Sequence, residues 1–210
     1  MEGATPLPAE IRSAAHHAQC RFEKASLTGE HVTGTEFVGV TFVRCDFSEA
    51  AFETCRFSDC VFDRCNLNLV QLPGSTLANV AFNDSQLMGV DWTRVDWPRL
   101  PTGRRISFSN CTVSHSTFIG LSLPEIRLVR CAATDVDFRE ADLSRGSFAG
   151  TDLAESLFLN TDLTQTDFST ARNYRIDPAQ NKISQAKFSL PEALSLLYSM
   201  DIEMVELPPR

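Results

Sequence analysis

The chain has 210 residues, 43% of them apolar, and a formal net charge of −8 at pH 7. That length suits one domain with caps, and no apolar run is long enough to span a membrane. The acidic balance argues against a direct nucleic-acid binder, because such binding rests on cationic contacts to phosphate. With no secretory signal at the N-terminus, the expected compartment is the cytoplasm.

Residues 1–18 carry no regular pattern. Ala9 to Gln19 read as a short helix or a loose N-terminal cap. His16 and His17 would point different ways on a helix, which does not suit a shared metal site.

From Phe22 to Trp97 every fifth residue is apolar, beginning Phe22, Leu27, Val32, Phe37, Phe42 and Phe47. An α-helix would step such residues about 140° apart, over all its faces. A flat strand would send alternate ones to opposite faces. One interior collects every beat only if the backbone bends between beats, as in stacked coils. Two places before each beat the residue is small or medium-sized, with Glu30 the exception; Cys45, Ala50, Cys55, Cys60 and Cys65 are examples. Large alternating with small is what fills a narrow tube at native density. Gly29, Gly34, Gly39, Gly74, Gly89, Gly120 and Gly150 fall two places after a beat, and Pro73, Pro98 and Pro124 one place after. The corner therefore follows the beat. All seven cysteines occupy the small inward position and read as buried hydrophobes rather than metal ligands.

Between Trp97 and Phe108 the phase slips. Two prolines, Gly103 and three arginines make residues 98–106 a projecting loop. It is read as an insertion tolerated on the surface or as a contact loop; in the second reading Arg99, Leu100, Arg104 and Arg105 are the binding candidates. The number of inserted residues and the side of the coil they leave stay open.

The beat resumes at Phe108 and runs to Phe168. Residues 98–130 hold five arginines against one acid. Residues 131–168 hold Asp135, Asp137, Glu140, Asp142, Asp152, Glu155, Asp162 and Asp167 against two arginines. These eight acids are the candidate partner-binding face.

After Phe168 the pattern lapses. Ser189-Leu190-Pro191-Glu192 reads as a capping box opening a helix, and residues 201–205 alternate like a short strand. This tail, residues 171–210, is expected to cap the rod. It also offers Leu190, Leu194, Leu197, Ile202 and Met204 as a dimer contact, two-fold dimers being the commonest oligomer.

Ala141-Asp142-Leu143-Ser144-Arg145, Thr151-Asp152-Leu153, Thr161-Asp162-Leu163 and Thr166-Asp167-Phe168 resemble the A-(D/N)-L-x-x motif of the pentapeptide-repeat family. The resemblance covers about residues 20–170. It implies an all-β solenoid, a right-handed quadrilateral β-helix with four pentapeptides per coil, here spanning 19–170 between the two caps. Roughly seven coils at ~4.8 Å each would make a rod on the order of 35 Å long. Stacking by coil then implies ladders: Phe22, Phe42, Phe62 and Phe82; Phe118, Phe138 and Phe158; Leu123, Leu143 and Leu163; and, outside, Asp142 with Asp162. Cys45 and Cys65, or Cys111 and Cys131, would lie one coil apart, within disulfide reach by distance but expected reduced.

No nucleophile motif, glycine-rich phosphate loop or metal-ligand spacing appears, so the expectation is a non-enzymatic protein with no cofactor and no metal. The tail, with Leu196-Leu197 ahead of an apolar stretch, is similar to that of Qnr-type members. That resemblance implies an acidic rod imitating duplex DNA, a type II topoisomerase partner (DNA gyrase above all), protection of that enzyme from quinolones or poisoning toxins, and a homodimer through the tail. The alternative is an interaction scaffold or regulatory module with no topoisomerase partner.

Overall fold

The corner after each beat sets the architecture. The computed structural model describes residues 14–98, 105–200, 202 and 205. Within them, the second residue after nearly every beat has positive φ, glycine or not: Gly150 at 71°, but also Glu49 at 59°, Arg64 at 53° and Glu155 at 59°. At many corners the next amide donates back to the beat carbonyl, as Thr151 N–H does to Phe148 O at 3.0 Å. This is the type II turn, whose third residue needs positive φ.

Between corners lie short segments that pair in parallel. The strands are β1 (His16–Ala18), β2 (Arg21–Glu23), β3 (His31–Thr33), β4 (Glu36–Val38), β5 (Thr41–Val43), β6 (Ala51–Glu53), β7 (Arg56–Ser58), β8 (Val61–Asp63), β9 (Thr76–Ala78), β10 (Val80–Asn83), β11 (Ile106–Ser109) and β12 (Arg127–Val129). They form three ladders: β1-β4-β7-β9 on face A, β2-β5-β8-β10-β11-β12 on face B, and β3-β6 on face D. Single bridges from Ser26 through Asp46, Asn66, Gln86, Thr112, Ala132 and Asp152 to Arg172 make the fourth, face C. The fold is thus an all-β parallel solenoid of pentapeptide coils with little helix.

The six strands on face B step through five turns of continuous ladder. Beyond Val129 the same register runs on through single bridges: Arg127 to Ser147, Asp167 and Lys187 on face B, and Ser122 to Asp142, Asp162 and Lys182 on face A. Partners are 20 residues apart, except across the insertion, where Phe82 pairs with Phe108, Gln86 with Thr112 and Asp91 with Thr117, each a step of 26. The insertion therefore adds six residues and leaves the coil at the corner between faces A and B, which answers the open points of side and size.

The lumen is filled as the beat requires. Phe42, Phe62, Phe82 and Phe108 stack with ring centroids 4.7, 4.9 and 5.2 Å apart. Trp92, Phe118, Phe138 and Phe158 form the face D stack at 5.5, 5.3 and 5.2 Å. The small inward residues do more than fill space. Their hydroxyls and thiols donate to the beat carbonyl of the coil before: Thr151 to Leu128 at 2.7 Å, Ser156 to Ala133 at 2.6 Å, Cys60 to Phe37 and Cys65 to Phe42 at 3.4 Å. All seven cysteines are free. Burial pushes the Cys60 thiol up to about 11.

Three boundaries differ from the sequence reading. His16–Ala18 is not helical but strand, paired with Glu36–Val38. His17 occupies a beat position and stacks on Phe37 at 5.4 Å, so an imidazole fills a place that is apolar in the coils above it. At the other end the coil does not stop at residue 170. Phe188 stacks on Phe168 at 5.4 Å, and Tyr174 and Ile176 fill the interior, 2% and 0% exposed. Asn173 and Pro178 stand at the beat positions there and hide the repeat in the sequence. Third, the capping box does not form. The Ser189 hydroxyl donates to Ser169 O in the coil before, and α1 (Leu194–Tyr198) has Ala193 at its N-cap position, with no side-chain cap.

Candidate interaction surface

The aspartate before a beat is first a turn-former. Its Oδ1 accepts the amide two residues on: Ser144 for Asp142, Thr164 for Asp162 and Arg139 for Asp137, each at 3.0 Å, Ala154 for Asp152 at 3.2 Å and Ser169 for Asp167 at 2.9 Å. This Asx-type bond steers the chain into the corner. It leaves the carboxylate at the surface, so local folding and surface charge are supplied by one side chain. The sequence reading saw the charge and missed the turn bond.

The eight acids do not share one face. The bridges put Asp137 on face D, Asp142 and Asp162 on face A, Asp152 on face C and Asp167 on face B. Asp135 and Glu155 occupy the corner between C and D, and Glu140 the corner between D and A. Six of the eight therefore lie on face D, its two edges and the adjoining face A. Asp152 lies beside this belt, and Asp167 lies across the lumen from it. Asp142 and Asp162 are bridge partners, as expected.

Local cations neutralise part of the belt. Asp137 pairs with Arg139 at 2.7 Å, Asp152 with Arg172 at 3.3 Å and Asp162 with Lys182 at 3.4 Å, while Asp135 is hydrogen-bonded to the His115 ring at 2.9 Å. The Arg139 guanidinium holds the Asp137 carboxyl below the usual carboxylate range. The Asn173 amide does the same for Asp152, and the Ser169 hydroxyl for Asp167. Glu140, Asp142 and Glu155 make no ion pair among the described residues. They are the charges most available to a partner.

Of the loop candidates, Arg99, Leu100 and Arg104 lie outside the described residues. Arg105 is exposed at the corner between faces A and B. In the tail, Leu190 is 76% exposed, Leu194 and Leu197 are partly exposed, and Ile202 is exposed. Met204, and most of the strand expected over 201–205, fall outside the described residues. No residue of α1 is fully buried; Leu196 packs against the core, while Leu194, Leu197 and Tyr198 face outward. Among the described residues no helix is long and apolar enough to cross a membrane.

Coils of five-residue units, a lumen of alternating large and small side chains, and aspartates closing the turns define a pentapeptide solenoid. A family profile described as "Pentapeptide repeat region" matches residues 35–118, and a second, "Pentapeptide repeats (8 copies)", matches residues 134–169. The chain belongs to the pentapeptide-repeat family. Among curated proteins, none matches it. Among solved structures, it is similar to a trypsin-treated point variant of QnrB1, a plasmid-mediated fluoroquinolone resistance protein, with a TM-score of 0.67, 15% identity and 96% of each chain covered. Full-length QnrB1 gives a TM-score of 0.57 at 16% identity, covering 95% of this chain and 96% of that one. HetL, a pentapeptide-repeat protein involved in heterocyst differentiation regulation from the cyanobacterium Nostoc, gives 0.43 at 16% identity over 87% and 90% of the two chains. At these identities the likeness is one of fold.

Proposed function

We propose that this protein is a non-enzymatic DNA mimic, a right-handed four-sided rod that binds DNA gyrase or a related type II topoisomerase and shields it from quinolones or poisoning toxins. The observation that carries this reading is the acid belt: six carboxylates on face D, its edges and the adjoining face A of a rigid spiral, of which Glu140, Asp142 and Glu155 make no ion pair among the described residues. Coil spacing puts charges in one column ~4.8 Å apart, against one per ~1.7 Å of duplex axis. Neighbouring columns on face D and its edges bring the two closer. The likeness in fold to QnrB1 agrees with this reading. The exposed Leu190, Leu194, Leu197 and Ile202, with Met204, suit a second copy of the chain, which would double the rod, and the loop at the A/B corner suits a contact on the topoisomerase. The protein would act in the cytoplasm, without cofactor or metal.

Gyrase supercoiling and cleavage-complex assays, with and without a quinolone, test the reading. Wild-type protein should restore supercoiling at a quinolone concentration that otherwise abolishes it. The triple variant Glu140→Gln, Asp142→Asn, Glu155→Gln keeps the turn bond of position 142 and removes three charges, so it should fold normally and lose protection. Absence of any protection by the wild type, together with no salt-sensitive binding to gyrase, would leave the scaffold reading in its place.

A further inference from the structure

The corner between faces A and B carries charge of the opposite sign. Arg105 and Arg145 at this corner and Arg127 beside it on face B stand on three successive levels of the coil and, with Asp59 and Glu125, line one open cavity of about 710 Å³. The floor is low because the outward residues of face B are short at these levels: Ala81, Ser107 and Ser147. Arg127 stands in the same column, between Ser107 and Ser147. The Val80 amide donates to Arg105 O at 3.0 Å and fixes that residue's backbone at the mouth. Arg145 shares its guanidinium loosely with Glu125 at 3.5 Å. Arg105 and Arg127 have no carboxylate partner among the described residues.

We infer that this trough binds a compact phosphate group, such as a diphosphate or the polyphosphate end of a nucleotide. Guanidinium forks match phosphate oxygens in pairs, and two of these three are otherwise uncommitted. The cationic stretch is short: three levels at ~4.8 Å span on the order of 10 Å. Asp59 closes one end of the cavity, and Asp167 follows Ser147 in the face B column. A duplex laid along the rod would run onto both carboxylates, whereas a compact anion fits between them beside Arg105 and Arg127, the one acid within that span, Glu125, being paired with Arg145. The site is separate from the acid belt across the lumen and does not depend on the topoisomerase reading.

The test is calorimetric and NMR titration of the full chain with inorganic pyrophosphate, with ATP, and with a short DNA duplex at low salt. Saturable pyrophosphate binding is expected, with amide shifts centred on Ser107, Arg127 and Ser147. Arg127→Gln should weaken it about tenfold or more, and Arg127→Gln with Arg145→Gln should remove it, while Arg56→Gln on face A leaves it unchanged. ATP tighter than pyrophosphate with the same shifts would place a nucleotide in the trough and support the inference. No saturable pyrophosphate binding, binding unaffected by Arg127→Gln in a variant with wild-type melting, or a duplex bound more tightly than pyrophosphate would each overturn it.

Discussion

At the residue scale, the two positions before each beat hold the coils together. Thr151 donates to Leu128 O at 2.7 Å and accepts from Cys131 N–H at 3.2 Å. Thr151→Val keeps the shape and strips both bonds, leaving buried backbone groups unpaired. It should cost about 1–3 kcal/mol in urea unfolding. Asp142 closes its turn through one oxygen, so Asp142→Ala should cost about 0.5–1.5 kcal/mol and Asp142→Asn much less. The aspartates also set the acid response. Asp137, Asp152 and Asp167 have folded values below the ordinary carboxylate value, so more protons bind the unfolded chain on acidification. Their contribution is fully present above about pH 4 and is lost as pH falls through the folded values. Thermal melts from pH 7 to pH 2 should show this fall, and Asp137→Asn should flatten it. At this scale the sequence showed which side chains point inward, since size alternates with the beat. It hid their hydrogen bonds, because serine, threonine and cysteine donors look like mere small residues at those positions.

At the element scale, stability rests on aromatic stacks. Phe148 is fully buried, 4.9 Å from Phe168 and 5.7 Å from Phe138. Phe148→Ala should cost about 3–5 kcal/mol, measured by denaturant unfolding. The insertion makes a sharper test of register. The Phe82-to-Phe108 step is 26 against the usual 20, so deleting residues 99–104 restores an unbroken repeat. That deletion should fold and melt no lower than the parent, because a shorter closure costs less entropy. A five-residue deletion should melt lower than the six-residue one, since its single extra residue must bulge out of a tight corner. The beat was legible wherever apolar residues kept it. It failed at both ends, where His17, Asn173 and Pro178 stand in its place. The tail was read from helix signals, but Ser189 gives its hydroxyl to the neighbouring coil instead of to a cap.

At the scale of the whole molecule, the rod is polarised around its girth rather than along its length. Counting charges by segment put eight acids together; winding the chain spread them over four faces and left six on face D, its edges and face A, with an arginine-lined trough at the A/B corner. A one-dimensional sequence cannot show this without the coil length, which the five-residue beat alone does not supply. Two sides of opposite sign also make the electrostatics directional, steering an approaching partner toward one face. The most direct measurement of the central claim is competition: fluorescence anisotropy of the labelled rod bound to gyrase, titrated with linear duplex DNA at fixed ionic strength. A DNA mimic should be displaced by duplex in a saturable, mutually exclusive manner, and the Glu140→Gln, Asp142→Asn, Glu155→Gln variant should bind too weakly to compete. Binding that duplex leaves untouched, or that the variant retains in full, would contradict it.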